Sequence, residues 1–95
     1  MYVVAGVWDA DPALAEVQRA VLMSRIVPGV RSTPGLVKGY WAGNPEERRR
    51  YTFIVFDSHD HAEAFAASVR ANEAGQAQSG LACVEVTVAR IEAET

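Results

Sequence analysis

Hydrophobic and polar positions along the chain follow two matched halves, each predicting a strand, a helix and a second strand. In the first half, an apolar run over Met1–Trp8 precedes a segment over Asp11–Val27 whose apolar residues recur at helical spacing, and Leu36–Asn44 is a second strand-like run. The second half repeats this order over Arg48–Asp57, Ser58–Gln78 and Leu81–Ile91. The pattern therefore predicts the element order βαββαβ.

Local signals support both helix starts. Asp11-Pro12 supplies a capping carboxylate followed by a proline at the first helical position, and Ser58 or Asp57 can cap the second helix in the same way. Pro28-Gly29 predicts that the first helix ends or kinks near Val27, because a proline cannot continue the hydrogen-bond ladder.

Two of the predicted strands are apolar on both faces. Tyr2–Trp8 has almost no polar side chain, and Tyr51–Phe56 is apolar at both odd and even positions apart from Thr52. The order and the pattern predict an α+β, ferredoxin-like fold with a four-stranded antiparallel sheet. Because one layer of two helices covers one face of such a sheet, we expect a second copy of the chain to cover the other face.

Composition narrows the class of protein. The 95 residues suit a single domain spanning 1–95, and 49% of them are hydrophobic. A net charge of −3 and a pI near 5.3 argue against a general nucleic-acid binder. Arg48-Arg49-Arg50 follows two glutamates at a predicted hairpin, so a solvated, locally paired loop is favoured over a phosphate site.

Neither a membrane span nor a secretory leader is indicated. No segment approaches the roughly 18 to 20 apolar residues that cross a bilayer, and the N-terminus lacks a basic region followed by an apolar one. We therefore expect a cytoplasmic protein. Cys83 is the only cysteine, and its place within a strand predicts a small core or interface residue.

Short motifs add a family resemblance. The run Thr33-Pro34-Gly35-Leu36-Val37-Lys38-Gly39-Tyr40-Trp41, followed by Phe56-Asp57-Ser58 and by Ala62-Glu63-Ala64-Phe65, resembles the antibiotic-biosynthesis-monooxygenase-like group of dimeric α/β-barrel proteins. The resemblance implies a homodimer joined through the open sheet faces, and a pocket between helices and sheet in each subunit. It does not extend to the haem-degrading branch, because Val7 and Phe56 stand where that branch has asparagine and tryptophan, and no histidine follows His61.

The expected division of the sheet faces rests on pairing the hairpin about Glu46. One set is then expected to face the helices: Val3, Ala5, Val7, Tyr40, Thr52, Ile54 and Phe56. The other is expected to face the partner: Tyr2, Trp8, Trp41, Tyr51 and Phe53. A slip of one residue would exchange the two sets.

Two functions fit this pattern. The first is a monooxygenase-like enzyme that acts on an electron-rich aromatic substrate without metal, flavin or other cofactor, with Tyr40 as the first catalytic candidate. The second is a non-catalytic homodimer that binds a small apolar or aromatic ligand or is associated with stress. Six residues are candidates for ligand binding: Ser24, Tyr40, Thr52, Phe56, Phe65 and Asn72. The aromatic members can equally be core and interface residues.

Other polar residues favour structural roles. His59 and His61 lie two residues apart at a helix start, so they do not share a face as a metal pair would, and we expect no metal site. Glu85 lies inside a strand, where pairing with Arg90 or Lys38 across the interface is favoured over acid–base catalysis.

Overall fold

The computed structural model describes residues 1–95 and contains one four-stranded sheet. Its strands are β1 (Tyr2–Ala10), β2 (Leu36–Gly43), β3 (Arg49–Phe56) and β4 (Leu81–Arg90). The spatial order is β2-β3-β1-β4, and every neighbouring pair is antiparallel. The two apolar strands of the sequence, β1 and β3, are thus the central ones, and the predicted ferredoxin-like α+β class is confirmed.

The first helical region changes its winding along its length. A 3₁₀ turn (Pro12–Leu14) leads into α1 (Ala15–Val21), a π-helical segment (Leu22–Ile26) and α2 (Val27–Arg31). The Asp11 carboxylate accepts a hydrogen bond from Ala13 N at 3.0 Å, which confirms the predicted cap.

Of the two outcomes expected near Val27, an end of the helix is wrong, because α2 continues to Arg31. What changes at this point is the winding, from π-helical to α-helical. Pro28 lies in the first turn of α2, directly after the π-helical segment, where Val27 N–H donates to Leu22 O. In a regular helix the proline ring would clash with the carbonyl four residues earlier. The wider winding upstream accommodates Pro28 without ending the helix.

The second helical region consists of α3 (His59–Ala71) and α4 (Glu73–Gln78), which meet at Asn72. Ser58 Oγ accepts a hydrogen bond from His61 N at 3.2 Å, so this predicted cap is also confirmed. The sequence predicts one helix over 58–78, whereas the structure interrupts it at Asn72. Gln76 Nε2 donates to Val69 O at 2.8 Å and holds the two helices together.

The core lies between the helices and one face of the sheet. Phe56 is fully buried and Ile54 is 2% exposed, and both pack with Ala62 and Ala66 of α3. Small residues on α3 let the helix approach the sheet closely. The Phe56 and Phe65 rings extend this packing, with their centroids 5.1 Å apart.

The prediction of which β1 side chains face the helices is wrong. Val4, Gly6 and Trp8 are buried under the helices, whereas Val3 and Ala5 are only half-buried. Val7 also lies on the open face, and Tyr2 packs against the core instead of facing a partner. Opposed residues of paired strands share a face, and Val4 lies opposite Ile54. Because β1 is apolar at both parities, its hydrophobic pattern carries no signal for this choice.

A bulge accounts for the corresponding error in β2. Leu36 lies opposite Phe56, as pairing about Glu46 predicts, but the register shifts before Lys38. Tyr40 therefore lies opposite Phe53 and faces away from the helices, while Trp41 lies opposite Thr52 and faces them. One extra residue in a strand reverses the faces of all that follow.

The face without helices carries exposed apolar side chains. Tyr40 is 53% and Phe53 is 43% exposed there. With the half-buried residues opposite or beside them they form what we call the open-face patch: Val3, Ala5, Val7, Tyr40, Tyr51, Phe53 and Val55. The predictions that Tyr51 and Phe53 lie on this face agree with the register.

None of the helices combines the length and the hydropathy that a membrane span requires. Glu85 forms no ion pair with Arg90 or Lys38 within the chain, and its carboxylate accepts a hydrogen bond from Thr87 Oγ1 at 3.1 Å.

The observed burial of the sheet residues predicts unequal losses of stability when apolar side chains are shortened. Ile54→Ala should lower the free energy of unfolding by about 2–5 kcal/mol, because it removes buried methyl groups and leaves a cavity. Val37→Ala, at an exposed position, should change it by less than about 0.5 kcal/mol. Urea denaturation measures both losses of unfolding free energy, and equal losses would contradict the observed burial.

Candidate ligand-binding cavity

The helical layer does not fill the space over the sheet. A cavity of about 580 Å³ lies between the helix-facing side of the sheet and the two helical regions. Trp8, Trp41 and Thr52 are among the sheet residues that line it. One wall comes from the first helical region through Gln18, Leu22, Arg25 and Ile26, and the other from the second through Phe65, Ser68, Val69, Asn72 and Gln76. The space is thus an open cavity, and Phe65 lines it without filling it.

The two tryptophans give the cavity its aromatic surface. Trp8 Nε1 donates a hydrogen bond to Thr52 Oγ1 at 3.2 Å, which satisfies the indole N–H and fixes the ring plane. Gly6 lies between these groups, and a Cβ atom there would come within 2.5 Å of Thr52 Oγ1 and 2.8 Å of Trp8 Nε1. A larger residue at position 6 would therefore break this arrangement.

The ionised side chains of the cavity wall are all arginines: Arg19, Arg25 and Arg50. Arg19 is paired with Glu47 outside the cavity. Arg50 Nη2 donates to Gln18 Oε1 at 3.2 Å, and Gln18 Nε2 donates to Asp11 O at 3.0 Å. No aspartate, glutamate, histidine, lysine or cysteine lines the cavity. The wall can therefore bind and stabilise negative charge, but it holds no ordinary general base.

Three of the expected ligand-binding residues come together at the cavity. Thr52 lies on its floor, Phe65 on α3 and Asn72 at the junction of α3 and α4. The other three do not line it. Phe56 is enclosed in the core, and Ser24 is exposed on the outer side of the π-helical segment, where its hydroxyl donates to Ala20 O at 2.7 Å.

Tyr40, the first catalytic candidate, is separated from the cavity by the sheet. It belongs to the open-face patch, and Lys38 Nζ lies 5.7 Å from its ring centroid. The bulge near Val37 causes this placement, as described above.

Among the cavity residues that sequence reasoning missed are Trp8, Trp41, Gln18 and Arg50. The predicted register puts both tryptophans on the opposite face, and Gln18 is a polar residue on an otherwise apolar stripe. The sequence predicts a solvated, locally paired loop for the arginine run, but only Arg48 is exposed outside the strand. Arg49 and Arg50 belong to β3, and Arg49 pairs with Asp9 of β1 at 3.1 Å. A signal for Arg50 existed, because it shares its parity with Thr52 and Ile54, both expected to face the helices.

The histidines lie away from the cavity and each contacts a carboxylate four residues away. His61 Nδ1 lies 2.7 Å from Asp57 Oδ1, and His59 Nε2 lies 3.2 Å from Glu63 Oε1. The hydrogen bond from His61 is the main cause that lowers the pKa of Asp57 below its ordinary value of 3.8. No three His, Cys, Asp or Glu side chains come together as a metal site would need.

Cys83 is exposed in the single chain, so of its two expected places the core is wrong, and the interface stays a prediction. Its thiol pKa is raised, chiefly by partial burial, which disfavours the reactive thiolate.

Comparisons with solved structures agree with this fold. A candidate antibiotic biosynthesis monooxygenase from Deinococcus radiodurans superposes with a TM-score of 0.78 at 13% identity, covering 100% of this chain and 96% of the other. A monooxygenase from Streptomyces coelicolor, in complex with nanaomycin D, gives 0.69 at 15% identity over 99% and 89%. A dimeric ferredoxin-like protein from an uncultured marine organism gives 0.66 at 14% identity over 99% and 96%.

No protein-family model matches the sequence, and no curated protein shows significant similarity to it. At these identities the structural likeness shows the fold alone. The chain has a ferredoxin-like fold that it shares with antibiotic biosynthesis monooxygenases, and the resemblance expected from the motifs is confirmed at that level.

The Asp57–His61 contact predicts how stability depends on pH. Because the pKa of Asp57 is lower in the folded chain, the unfolded chain binds protons more readily there. The stabilisation is present above the ordinary pKa and is lost as the pH falls through the lowered one. Asp57→Asn should therefore show a smaller loss of unfolding free energy between about pH 5 and pH 2.5 than the wild type.

Urea denaturation at both pH values measures this difference. Asp60→Asn is the matched control, because Asp60 is an exposed carboxylate three residues later, in the first turn of α3, and accepts no side-chain hydrogen bond. A pH dependence that Asp57→Asn leaves unchanged would contradict the assigned role of the contact.

Proposed function

We propose that this chain binds a flat, electron-rich aromatic molecule in the cavity and catalyses its monooxygenation by molecular oxygen, without metal or flavin. The observation that carries the proposal is the cavity itself, which has an aromatic surface, a positively charged wall and a volume within the range of small-molecule sites. Three of the structural neighbours are described as monooxygenases, one firmly and two as candidates, which supports the same activity.

The reaction needs little acid–base chemistry from the protein. An electron-rich substrate that has lost a proton donates electrons directly to oxygen. For a reacting CH₂ group, one oxygen atom becomes the carbonyl oxygen of the product, and the other leaves with the two hydrogens as water. The chain would exclude bulk water, orient the rings against Trp8 and Trp41, and stabilise the substrate anion with Arg25 and Arg50. The role first assigned to Tyr40 thereby passes to the arginines.

A second candidate is a binding protein without turnover. It is favoured by the absence of an ordinary general base from the cavity wall, so a substrate that does not ionise in water would bind without reacting. A bound ligand would still stabilise the fold, by about 2.7 kcal/mol at a hundredfold excess over Kd. This candidate includes the stress-associated dimer expected from the sequence.

The homodimer is part of the proposal. The open-face patch leaves Tyr40 and Phe53 exposed on a sheet that has no helices on that side. Large exposed apolar patches mark interfaces, and the marine ferredoxin-like neighbours are described as dimeric. Two copies packed through these faces would form the α/β barrel expected from the sequence. A cytoplasmic location stays a prediction.

Filling the cavity should abolish turnover. With a hydroxylated anthrone as test substrate, which carries such a CH₂ group, the wild type should consume oxygen faster than the uncatalysed reaction. Ser68→Trp should lower this rate by about tenfold or more, because Ser68 lines the cavity and the indole would occupy ligand space. An oxygen electrode measures the rate.

Ala67→Trp is the matched control, since Ala67 is the preceding residue of α3, is exposed and does not line the cavity. Tyr40→Phe should likewise leave the rate unchanged. If no electron-rich test substrate causes oxygen uptake above background, yet a ligand raises the Tm, the enzyme hypothesis is wrong and the binding-protein hypothesis takes its place.

The open-face patch predicts the assembly state. The wild type should be a dimer at micromolar concentration, and Phe53→Lys should shift it to monomers, because it places a charge at the centre of the apolar interface. Met23→Lys, at an exposed apolar position of the π-helical segment, should remain dimeric. Light scattering measures the molar mass of each protein, and a folded wild-type monomer would refute the proposed dimer interface.

A further inference from the structure

The charge of the cavity wall is opposite to that of the whole protein. The chain has a net charge of −3 and twelve acidic residues, yet none of the twelve lines the cavity. Of its three arginines, Arg19 is neutralised by Glu47, whereas Arg25 and Arg50 form no ion pair. Two guanidinium groups without acidic partners therefore adjoin an aromatic, apolar space.

Arg50 is held in place by its neighbours. On the helix-facing side of the sheet it lies between Trp8 of β1 and Gly43 of β2, which are its partners in the ladder. A Cβ atom at Gly43 would come within 2.4 Å of Arg50 Nη1 and 3.2 Å of Arg50 Cδ. The side chain of Arg50 thus lies over position 43, and a side chain there would have to displace it.

The contact with Gln18 fixes the direction of the guanidinium. Gln18 is 6% exposed, and the bond from its Nε2 to Asp11 O turns its Oε1 toward Arg50. Arg50 uses Nη2 for the bond to Gln18 Oε1, and this is its one side-chain hydrogen bond. Its other N–H groups remain available on the wall of the cavity.

We infer that the cavity selects aromatic ligands that carry an anionic group, such as a carboxylate, a sulfonate or an ionised phenol, and that Arg50 binds this group. The inference rests on the proposed function in taking the cavity as the ligand site, and it adds the charge of the ligand. A guanidinium binds such oxygens with two parallel N–H donors, and the bond is strengthened where water is excluded. For a phenol or enol, the same positive charge would favour the ionised form.

Two fluorescent dyes that differ by one charge test the inference. Anilinonaphthalene sulfonate carries the aromatic frame of phenylnaphthylamine with an added sulfonate. The wild type should bind the sulfonate dye more tightly than the neutral dye. Arg50→Met should raise the Kd for the sulfonate dye by about tenfold. The affinity for the neutral dye should change by no more than about twofold. Fluorescence titration gives each Kd.

Arg48→Met is the matched control. It removes the same charge two residues earlier in the sequence, where the arginine side chain is exposed and forms no hydrogen bond or ion pair. If Arg50→Met does not fold, Arg50→Gln serves in its place, and the preference of the wild type is measurable without any variant.

Equal binding of the two dyes by the wild type would overturn the inference. A sulfonate preference that survives in the Arg50 variant, or that is lost equally in Arg48→Met, would overturn it as well. The dye titrations measure binding and not turnover. A wild type that shows no oxygen uptake can therefore still show the preference for the anionic dye, so the two proposals fail separately.

Discussion

The packing of α3 against one end of the sheet is the contact on which the other features depend. Phe56 and Ile54 at the end of β3 meet Ala62 and Ala66 of α3, and this is the most deeply buried part of the chain. Toward the other end of the strands, around Thr52 and Arg50, the helices leave the cavity. The same strand therefore supplies core residues at one end and cavity residues at the other.

The partly buried charge of Arg50 explains why an anionic ligand would stabilise the cavity more than further apolar side chains would. An arginine beside apolar surface loses hydration, and it recovers that energy only by binding an anion or by staying in contact with water. Gln18 satisfies one donor of Arg50, yet an amide oxygen carries no net charge to balance the guanidinium. The chain has spare carboxylates elsewhere, so their absence from this wall leaves an unbalanced positive charge facing the cavity.

The element order, the sheet topology and both helix caps could be predicted from the sequence, because Asp11, Ser58 and the apolar runs act locally. The faces of β1 and β2 could not. In β1 both parities are apolar, so no polar residue marks the solvent side. In β2 the bulge near Val37 depends on how the strand pairs with β3, which no residue of the sequence specifies by itself.

Those two errors had unequal consequences for the site. The predicted faces of Thr52 and Phe65 agree with the structure because β3 and α3 are regular, whereas the bulge puts Trp41 on the face that the sequence predicts for Tyr40.

Two glycines leave room on the cavity floor for the groups that line it. Gly6 admits the Trp8–Thr52 hydrogen bond, and Gly43 admits the side chain of Arg50. A side chain at either position would have to displace these groups. What occupies these positions is not additional core but an aromatic ring and a positive charge, and these are the two groups that an anionic aromatic ligand would contact.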